Sequence, residues 1–292
     1  MPTTSSTTSS TSTTTSSTST TSTTLPGSCA TPVTIPAGGG IIPGKTTGAA
    51  SANAGSCDAS VSPENVFQWT PNVSGTALVK TCDPAVTNFD TVLYVREAVC
   101  LSGTERACNN DTPGCDTTTM AGKGSNVSFS VTAGTTYFIF VDGVAGASGN
   151  FTLTVIPPTG TCAAPILLPA AGGMFAGSTT GASNQTGTCQ ATTSASPENI
   201  YQWTPSTTGI ANIQTCSGTL TDFDTVLYLR TTTCGGGAEA DCNDDTPGCA
   251  TTTTTGKASH ITPLVTAGTT YFVIVDGAGG ASGNYKLTVT PP

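Results

Sequence analysis

The chain has 292 residues, of which only 9% are charged, and its formal net charge is -9. An acidic chain with so few Lys and Arg residues lacks the basic surface that nucleic acid or an anionic membrane requires, so neither is expected as a partner. No apolar run approaches the roughly 20 residues of a membrane-spanning helix, and no membrane span is predicted.

The N-terminal segment 1–24 is a low-complexity tract in which residues 3–24 are all Ser or Thr. Such a tract has no apolar face and is expected to be disordered or extended. Its hydroxyls are acceptors for O-linked glycans, represented by Thr3, Thr4, Ser5, Ser6, Thr7 and Thr8. A glycosylated stalk is favoured over a bare flexible linker, because linkers seldom exclude Gly so strictly. No apolar leader follows Met1, so for a secreted protein the leader is not visible in this sequence.

From residue 25 onward the chain repeats itself. The string SPENVFQWTP (62–71) returns as SPENIYQWTP (196–205), and FDTVLYVR (89–96) returns as FDTVLYLR (223–230), each 134 positions later. This is a tandem duplication, and it predicts two domains, at 25–158 and 159–292.

Strand signals follow one another within each copy. In the first copy they are VFQW, ALVKT, TVLYV, VSFSV, TYFIFV and FTLTV, rich in β-branched and aromatic residues. Phe151, Leu153 and Val155 alternate with threonines, as in a strand with one buried face. TYFIFV is apolar on nearly every residue and is expected to be a central strand covered on both sides. The pattern predicts an all-β fold of two tandem antiparallel β-sandwiches of jelly-roll type, with about eight strands in each.

Twelve cysteines, six in each copy, occur without a Cys-x-x-Cys pair. This spacing favours disulfides over a zinc site, and disulfides indicate an extracellular or cell-surface location. The cysteines are Cys29, Cys57, Cys82, Cys100, Cys108 and Cys115, then Cys162, Cys189, Cys216, Cys234, Cys242 and Cys249. Many pairings are open; the arrangement we favour joins Cys29 to Cys57, Cys100 to Cys108 and Cys82 to Cys115.

The order of FDTVLYVR, C-N-x-D, TAGTTYF-x-x-VDG and SGNF-x-LTV resembles the bacterial pre-peptidase C-terminal domain family, most of all its cysteine-bearing versions. The resemblance covers most of both copies. It implies a β-sandwich accessory module of secreted proteases and surface proteins that is not itself catalytic. Some members bind calcium, and some help to bind insoluble substrates. Here the two copies follow a Ser/Thr tract instead of a protease domain, which departs from the family's usual setting.

Catalytic constellations are weak. His260 is the only histidine, and Asn126 stands at its position in the first copy, so a Ser-His-Asp or Cys-His mechanism would exist in one copy alone. The recurring carboxylates are Glu64 and Glu198 in SPEN, and Asp142 and Asp276 in VDG. Solvated or capping positions in turns explain them, with the VDG aspartate bonding its own backbone. We therefore expect no enzyme activity.

The loops RACNNDTPGC (106–115) and ADCNDDTPGC (240–249) carry oxygen side chains in the spacing with which calcium loops begin. If the FDT turn meets this loop at one end of the sandwich, each copy offers two carboxylates and an amide. The candidate calcium ligands are Asp90, Asn109, Asp111, Asp224, Asn243 and Asp245. In the alternative, Asp90 caps a turn by bonding the amide of Val92 or Leu93, and Asp111 only begins the DTPG turn.

These features predict an extracellular structural or adhesive surface protein. It would be a stalk or the repeating subunit of a glycosylated fibre that self-associates into a filament, with a polysaccharide or cell-surface partner. The alternative is a non-catalytic calcium- or carbohydrate-binding accessory module of a secreted enzyme.

Overall fold

The computed structural model describes residues 27–190 and 196–292, and in both ranges the regular structure is almost entirely strand. The all-β prediction is confirmed. The Ser/Thr tract and its glycosylation positions lie outside the described residues.

The first repeat contains nine strands and one short 3-10 helix, at Val144–Gly146. The strands are β1 (Val33–Ile35), β2 (Gly40–Lys45), β3 (Asn65–Trp69), β4 (Gly75–Lys80), β5 (Thr91–Glu97), β6 (Thr104–Asn109), β7 (Asn126–Val131), β8 (Tyr137–Gly143) and β9 (Asn150–Ile156). All six predicted strands are present; β1, β2 and β6 were not predicted.

The second repeat follows the same order, with its 3-10 helix at Ala278–Gly280. Its strands are β10 (Ile166–Leu167), β11 (Gly173–Ser178), β12 (Asn199–Trp203), β13 (Gly209–Ile210), β14 (Asn212–Gln214), β15 (Thr225–Thr231), β16 (Glu239–Asn243), β17 (His260–Ile261), β18 (Leu264–Val265), β19 (Tyr271–Gly277) and β20 (Asn284–Thr290).

The second repeat contains a five-stranded sheet, a four-stranded sheet and a two-stranded sheet of β13 and β18, whereas the first repeat contains two sheets. In the first repeat they have the orders β1-β3-β8-β5-β6 and β2-β9-β4-β7. The antiparallel pairs β2/β9, β3/β8, β4/β7 and β5/β6 are nested in the chain and alternate between the two sheets. This is the winding of a jelly roll. The extra strand β1 runs parallel to β3 at one edge, an exception to the antiparallel prediction.

The core lies between the two sheets. Phe67, Trp69 and Ile139 of the five-stranded sheet pack in one buried cluster with Phe151 and Leu153 of the four-stranded sheet. The equivalent cluster of the second repeat contains Trp203. Trp69 and Trp203 are fully buried, and their indole N–H groups donate to the backbone carbonyls of Ala37 and Ala170. They are core residues, as the sequence indicates.

Strand β8 is apolar on both faces because both faces are covered. One face contributes Tyr137, Ile139 and Val141 to the core. On the other face Phe140 stacks on Tyr94 with ring centroids 4.5 Å apart, and the Arg96 guanidinium lies 5.0 Å from the Phe140 ring centre. The prediction of a central strand covered on both sides is confirmed.

The cover over this outer face is the loop between β2 and β3, residues 46–64. Arg96 reaches it by donating to Asn53 Oδ1 and to the Ala54 carbonyl. Gly55 lies directly on the stacked pair: a Cβ built there would stand 2.8 Å from the Tyr94 ring. Only glycine permits that approach without displacing the ring.

Disulfides anchor this loop, and the segment around Cys29 that precedes β1, to the β5–β6 hairpin. Cys29 bonds Cys100 and Cys57 bonds Cys108, with Cα atoms 5.6 Å apart in both pairs. The favoured pairings Cys29–Cys57 and Cys100–Cys108 are therefore wrong. Loop 46–64 runs across the sheet to β6 instead of turning back to Cys29, and Cys100 lies in the hairpin turn while Cys108 lies near the far end of β6.

The third pairing, Cys82–Cys115, is confirmed. The second repeat reproduces the whole pattern through Cys162–Cys234, Cys189–Cys242 and Cys216–Cys249. All twelve cysteines of the chain lie in the described ranges, and none is free.

The two repeats meet at a junction between the outer face of β2 and β9 and the second repeat's β11. The Asn72 side chain makes two hydrogen bonds to the backbone at β10: it donates to the Pro165 carbonyl at 2.8 Å and accepts from the Leu167 N–H at 3.1 Å. Val73 enters the second repeat's hydrophobic core. Beside these contacts lies a cavity of about 510 Å³, lined by Ile41, Thr152 and Thr154 of the first repeat and by Gly218, Thr219, Leu220 and Thr252 of the second, among others.

Within the described ranges, no helix has the length and apolarity that crossing a lipid bilayer would require.

Replacing both Cys57 and Cys108 by alanine should destabilise the first repeat by about 2–4 kcal/mol, because the loop over the Tyr94–Phe140 pair loses its anchor. Chemical denaturation measures this loss. The Cys82 and Cys115 double replacement is the matched comparison and should cost less, since that disulfide closes 33 positions instead of 51. A non-reducing peptide map that joined Cys29 to Cys57 would contradict the structure.

Candidate functional site

One end of each sandwich brings together the FDT turn, the C-N-x-D loop and a lysine. Lys123 Nζ lies 3.3 Å from Asp90 Oδ2 and 2.6 Å from Asp111 Oδ2. In the second repeat Lys257 Nζ lies 3.1 Å from Asp224 and 2.8 Å from Asp245. Buried Phe89 fixes the FDT turn beside the core. The predicted meeting of turn and loop is therefore present in both repeats.

The two asparagines among the predicted ligands have another task. Asn109 Oδ1 accepts from the Thr112 hydroxyl at 2.8 Å and from the Asn126 N–H at 3.1 Å. Asn243 Oδ1 accepts in the same way from Thr246 and His260. Because hydrogen bonds occupy these oxygens, Asn109 and Asn243 shape the loop and do not present free ligand atoms.

Asp90 does not make the alternative capping bond. Its Oδ1 has no hydrogen-bond partner, while Oδ2 belongs to the lysine bridge. Its backbone carbonyl accepts from the Val144 N–H, which ties the turn to the 3-10 helix.

Among the buried side-chain atoms that have no hydrogen-bond partner in the described residues, three in each repeat belong to the FDT turn, the C-N-x-D loop and the strand that follows it. In the first repeat they are Asp90 Oδ1, Asn110 Oδ1 and Asn126 Oδ1. In the second they are Asp224 Oδ1, Asp244 Oδ1 and His260 Nε2, at the same three positions of the duplication. Every one can offer a lone pair, and buried polar atoms of this kind require an explanation.

Sequence reasoning missed positions 110, 126, 244 and 260 as a set. The available signal was that each keeps a lone-pair donor in both copies, as Asn or Asp at one position and as Asn or His at the other. His260 is half-buried at the start of β17.

The site in the second repeat is the more acidic. Asp224, Asp244 and Asp245 offer oxygens that all lie within 4.8 Å of one another. Burial raises the pKa of Asp244, and the negative charges of Asp245 and Asp224 raise it further. Hydrogen bonds to Asp245 and Asp224 in turn raise the pKa of Lys257. One ammonium thus faces three carboxyl groups.

Carboxylate and amide oxygens are the ligands that calcium prefers, whereas imidazole nitrogen suits transition metals better. The oxygen donors of the first repeat fit calcium in kind. In the second repeat the carboxylates fit, and His260 departs from an all-oxygen set. The donor chemistry therefore fits a hard cation, with the lysine ammonium as its competitor for the Oδ2 atoms.

A second group of carboxyls, which lies in VDG and SPEN, is built into the fold. Asp142 is only 1% exposed, and its Oδ1 accepts from the Gly143 N–H at 2.8 Å, as the VDG pattern indicates. Glu64 is buried, contrary to a solvated position, and accepts from the Ala52 and Asn53 N–H groups of the covering loop. These carboxyls hold backbone in place.

The surroundings of the VDG aspartate differ between repeats. In the second repeat Gln190 donates to Asp276 Oδ2 at 3.0 Å. In the first repeat Asp58 stands at that position, and both its Oδ2 and the Tyr94 hydroxyl lack hydrogen-bond partners. Burial raises the pKa of Asp142 to about 7, and the charges of Glu64 and Asp58 add to the effect. Burial likewise raises the pKa of Asp276 to about 7.

No family model matches the chain, and no curated protein matches it. Three solved structures show weak similarity. A protein from Eubacterium rectale has 9% identity over 86% of this chain and 74% of that one, with a TM-score of 0.23. The CUB1-EGF-CUB2 domains of rat MASP-1 have 7% identity over 86% and 97%, with a TM-score of 0.19. Tripeptidyl peptidase 2 has 10% identity over 90% of this chain but 24% of its own, with a TM-score of 0.23. Similarities this weak carry no argument about function.

Replacing Asp244 by Asn, the residue at the equivalent position 110, should weaken calcium binding to the second repeat because it removes one of three clustered charges. Terbium luminescence and the calcium dependence of the melting temperature measure the effect. At a calcium concentration 100-fold above Kd, binding to the parent chain should add about 2.7 kcal/mol of stability.

Asp116→Asn, at an exposed acid of the first repeat's loop, is the control and should leave the calcium response unchanged. A melting temperature of the parent chain that does not move at millimolar calcium would remove this site.

The VDG aspartates should make stability fall with rising pH. Their folded-state pKa of about 7 exceeds the unfolded value of about 3.9. Between about pH 4 and about pH 7 the native state therefore binds more protons, and the free energy of unfolding decreases through that window. Denaturation at pH 5 and pH 8 measures the decrease. Asp142→Asn should reduce it, while Asp116→Asn should not; equal slopes in the two variants would be contrary to expectation.

Proposed function

We propose that this chain is an extracellular structural or adhesive protein, in which two crosslinked sandwiches form the repeating unit of a glycosylated surface stalk or fibre. The observation that carries the proposal is the combination of duplication and junction: each repeat holds three disulfides, and Asn72 and Val73 join the first repeat to the second. Six disulfides support a secreted location.

The disulfide-bonded repeats are suited to bearing a mechanical load. Pulling on either repeat loads strands that the disulfides Cys29–Cys100 and Cys162–Cys234 tie across 71 and 72 positions of chain. Covalent crosslinks limit how far such a unit can extend before strand pairing is lost.

The Ser/Thr tract supplies the glycosylated part of the proposal. Dense O-glycans on residues 3–24 would stiffen the tract and hydrate the surface around the sandwiches. Polysaccharide or another cell-surface component is the proposed partner of this glycan-bearing surface.

The proposal is non-enzymatic. Ser259, the residue next to the single histidine, shares its one hydroxyl hydrogen between the backbone carbonyls of Thr225 and Asp244, so this hydrogen is engaged in holding the loop. The recurring carboxylates Glu64 and Asp142 are likewise engaged with backbone N–H groups.

A second candidate is a calcium- or carbohydrate-binding accessory module, as the resemblance to the pre-peptidase C-terminal family implies. The unpartnered donors Asp224, Asp244 and His260 favour it. The two candidates are compatible at the level of the fold, because a bound cation would also stabilise a structural unit.

Imaging and mass spectrometry of the full chain, secreted from a glycosylating host, test the main proposal. We expect fibres or chains in negative stain and hexose-type mass additions confined to peptides from residues 3–24. A variant lacking residues 3–24 is the control and should lose the added mass. Single particles at every concentration, together with an unmodified tract, would sink the proposal and leave the binding module.

A further inference from the structure

The surface that forms the junction in the first repeat has an exposed counterpart in the second. In the first repeat Thr152, Thr154 and Ile156 point outward from β9 and are buried. Their equivalents on β20 are Lys286, Thr288 and Thr290, which are half-buried or exposed. The same holds at the edge strand, where Ile41 is half-buried and its equivalent Met174 is 49% exposed.

We call this counterpart the outer face of the second repeat. It consists of residues on β11, β14 and β20 that alternate with core residues: Met174, Asn212, Gln214, Lys286, Thr288 and Thr290.

The segment that covers the junction also has an exposed counterpart. Gly218, Thr219 and Leu220 of the second repeat line the junction cavity. Their equivalents in the first repeat are Pro84, Ala85 and Val86, which are exposed. We call residues 83–88 the docking loop. Among the described residues, the outer face and the exposed side of the docking loop are thus equivalent to the two sides of the filled junction, and Asp83, Pro84 and Ala85 of the docking loop also border the filled junction's cavity.

The charges of these two halves are complementary. In the filled junction Lys80 is desolvated, which lowers its pKa, and the negative charge of Asp222 opposes that shift. On the outer face Gln214 takes the position of Lys80, and in the docking loop Asn88 takes the position of Asp222. Both members of this charge pair are therefore replaced by neutral residues. The open halves carry a different pair: Lys286 on the outer face replaces Thr152, and Asp83 in the docking loop replaces Ser217. Lys286 is the one charged residue among the outer-face residues named above, and Asp83 is the one charged residue of the docking loop.

Two exposed hydrophobic side chains lie next to the outer face. Ile210 and Leu264 are cross-strand partners on β13 and β18, and they are 60% and 68% exposed. The first repeat carries Thr76 and Ser130 at these positions. Large aliphatic side chains that appear only on the uncovered copy of a surface indicate a contact there.

We infer that the outer face of the second repeat binds the first repeat of another copy of this chain, whose docking loop takes the place that residues 217–222 take in the filled junction. The inference rests on the proposed structural function and names its assembly surface. The contact is heterologous, with different surfaces on the two partners, so repeating it builds an open chain of molecules.

The new junction should be weaker than the filled one. Val73 and Ile156, which are buried in the filled junction, correspond to Thr207 and Thr290 in the open half. Fewer carbon atoms are therefore withdrawn from water, and assembly should depend on protein concentration and on salt.

Charge exchange on the full chain tests the inference. Lys286→Glu alone and Asp83→Lys alone should each raise the concentration needed for assembly roughly tenfold, because like charges would face each other. The double variant should restore assembly toward that of the parent chain. Light scattering and sedimentation against concentration give the readout, and electron microscopy shows the product.

Two further variants separate this contact from a general effect of charge or stability. Arg106→Glu makes the same charge change on β6, in the other sheet, where Glu97 is the ion-pair partner of Arg106 in the described part of the chain; this variant should assemble normally. Ile210→Thr with Leu264→Ser installs the residues of the first repeat and should weaken assembly without lowering the melting temperature.

The outcomes distinguish the inference from the proposed function. If the parent chain does not assemble under any condition, the proposed function fails. If it assembles but is indifferent to Lys286→Glu, or if the double variant does not recover, this inference is overturned and the function stands. Assembly that begins only after residues 1–24 are removed would show that the chain's own N-terminal segment covers the outer face, which also overturns it.

Discussion

The structure depends on how the outer face of the five-stranded sheet is covered. Strand β8 is apolar on both sides, so its second face must be withdrawn from water without a second core layer. The stacked Tyr94 and Phe140 rings receive that cover from loop 46–64, which has no regular secondary structure beyond an isolated bridge. Because this loop makes no strand pairing with the sheet, other interactions must hold it there. These are the Cys57–Cys108 disulfide and the Arg96 hydrogen bonds. The crosslinks thus replace a layer of secondary structure.

Covering one sheet in this way leaves the other free for contacts between units. The four-stranded sheet presents threonines and a lysine outward, and these side chains tolerate both water and a neighbouring protein surface. In the first repeat the second repeat occupies that face, and Gly38 allows its backbone to approach, since a Cβ at Gly38 would stand 3.2 Å from the Leu167 carbonyl oxygen. In the first repeat the two sheets are therefore covered in different ways. A disulfide-anchored loop covers the outer face of the five-stranded sheet, and the second repeat covers the outer face of the four-stranded sheet.

The sequence predicts the parts of this fold that local pattern determines. Strong alternation located β9, and continuous apolar character located β8 as a central strand. The strands that were missed are Gly- and Pro-containing or short, such as β2 with its sequence GIIPGK, and their pairing comes from the sheet, not from propensity. The one disulfide pairing predicted correctly, Cys82–Cys115, joins the segment before the β5–β6 hairpin to the loop after it. Cys57 and Cys108 become neighbours through a crossing over the sheet, which no local rule specifies.

The candidate cation site shows the same limit at the level of side chains. That the FDT turn and the C-N-x-D loop meet followed from their places at strand ends, but which residues of the loop point inward depends on the turn that Asn109 and Thr112 make. The site is also linked to the junction. Cys249 ties the acidic loop of the second repeat to Cys216, and the Thr252 N–H donates to the Thr221 carbonyl, in the segment that lines the junction cavity. One crosslinked loop therefore contributes both to the acidic cluster and to the surface against which the first repeat packs.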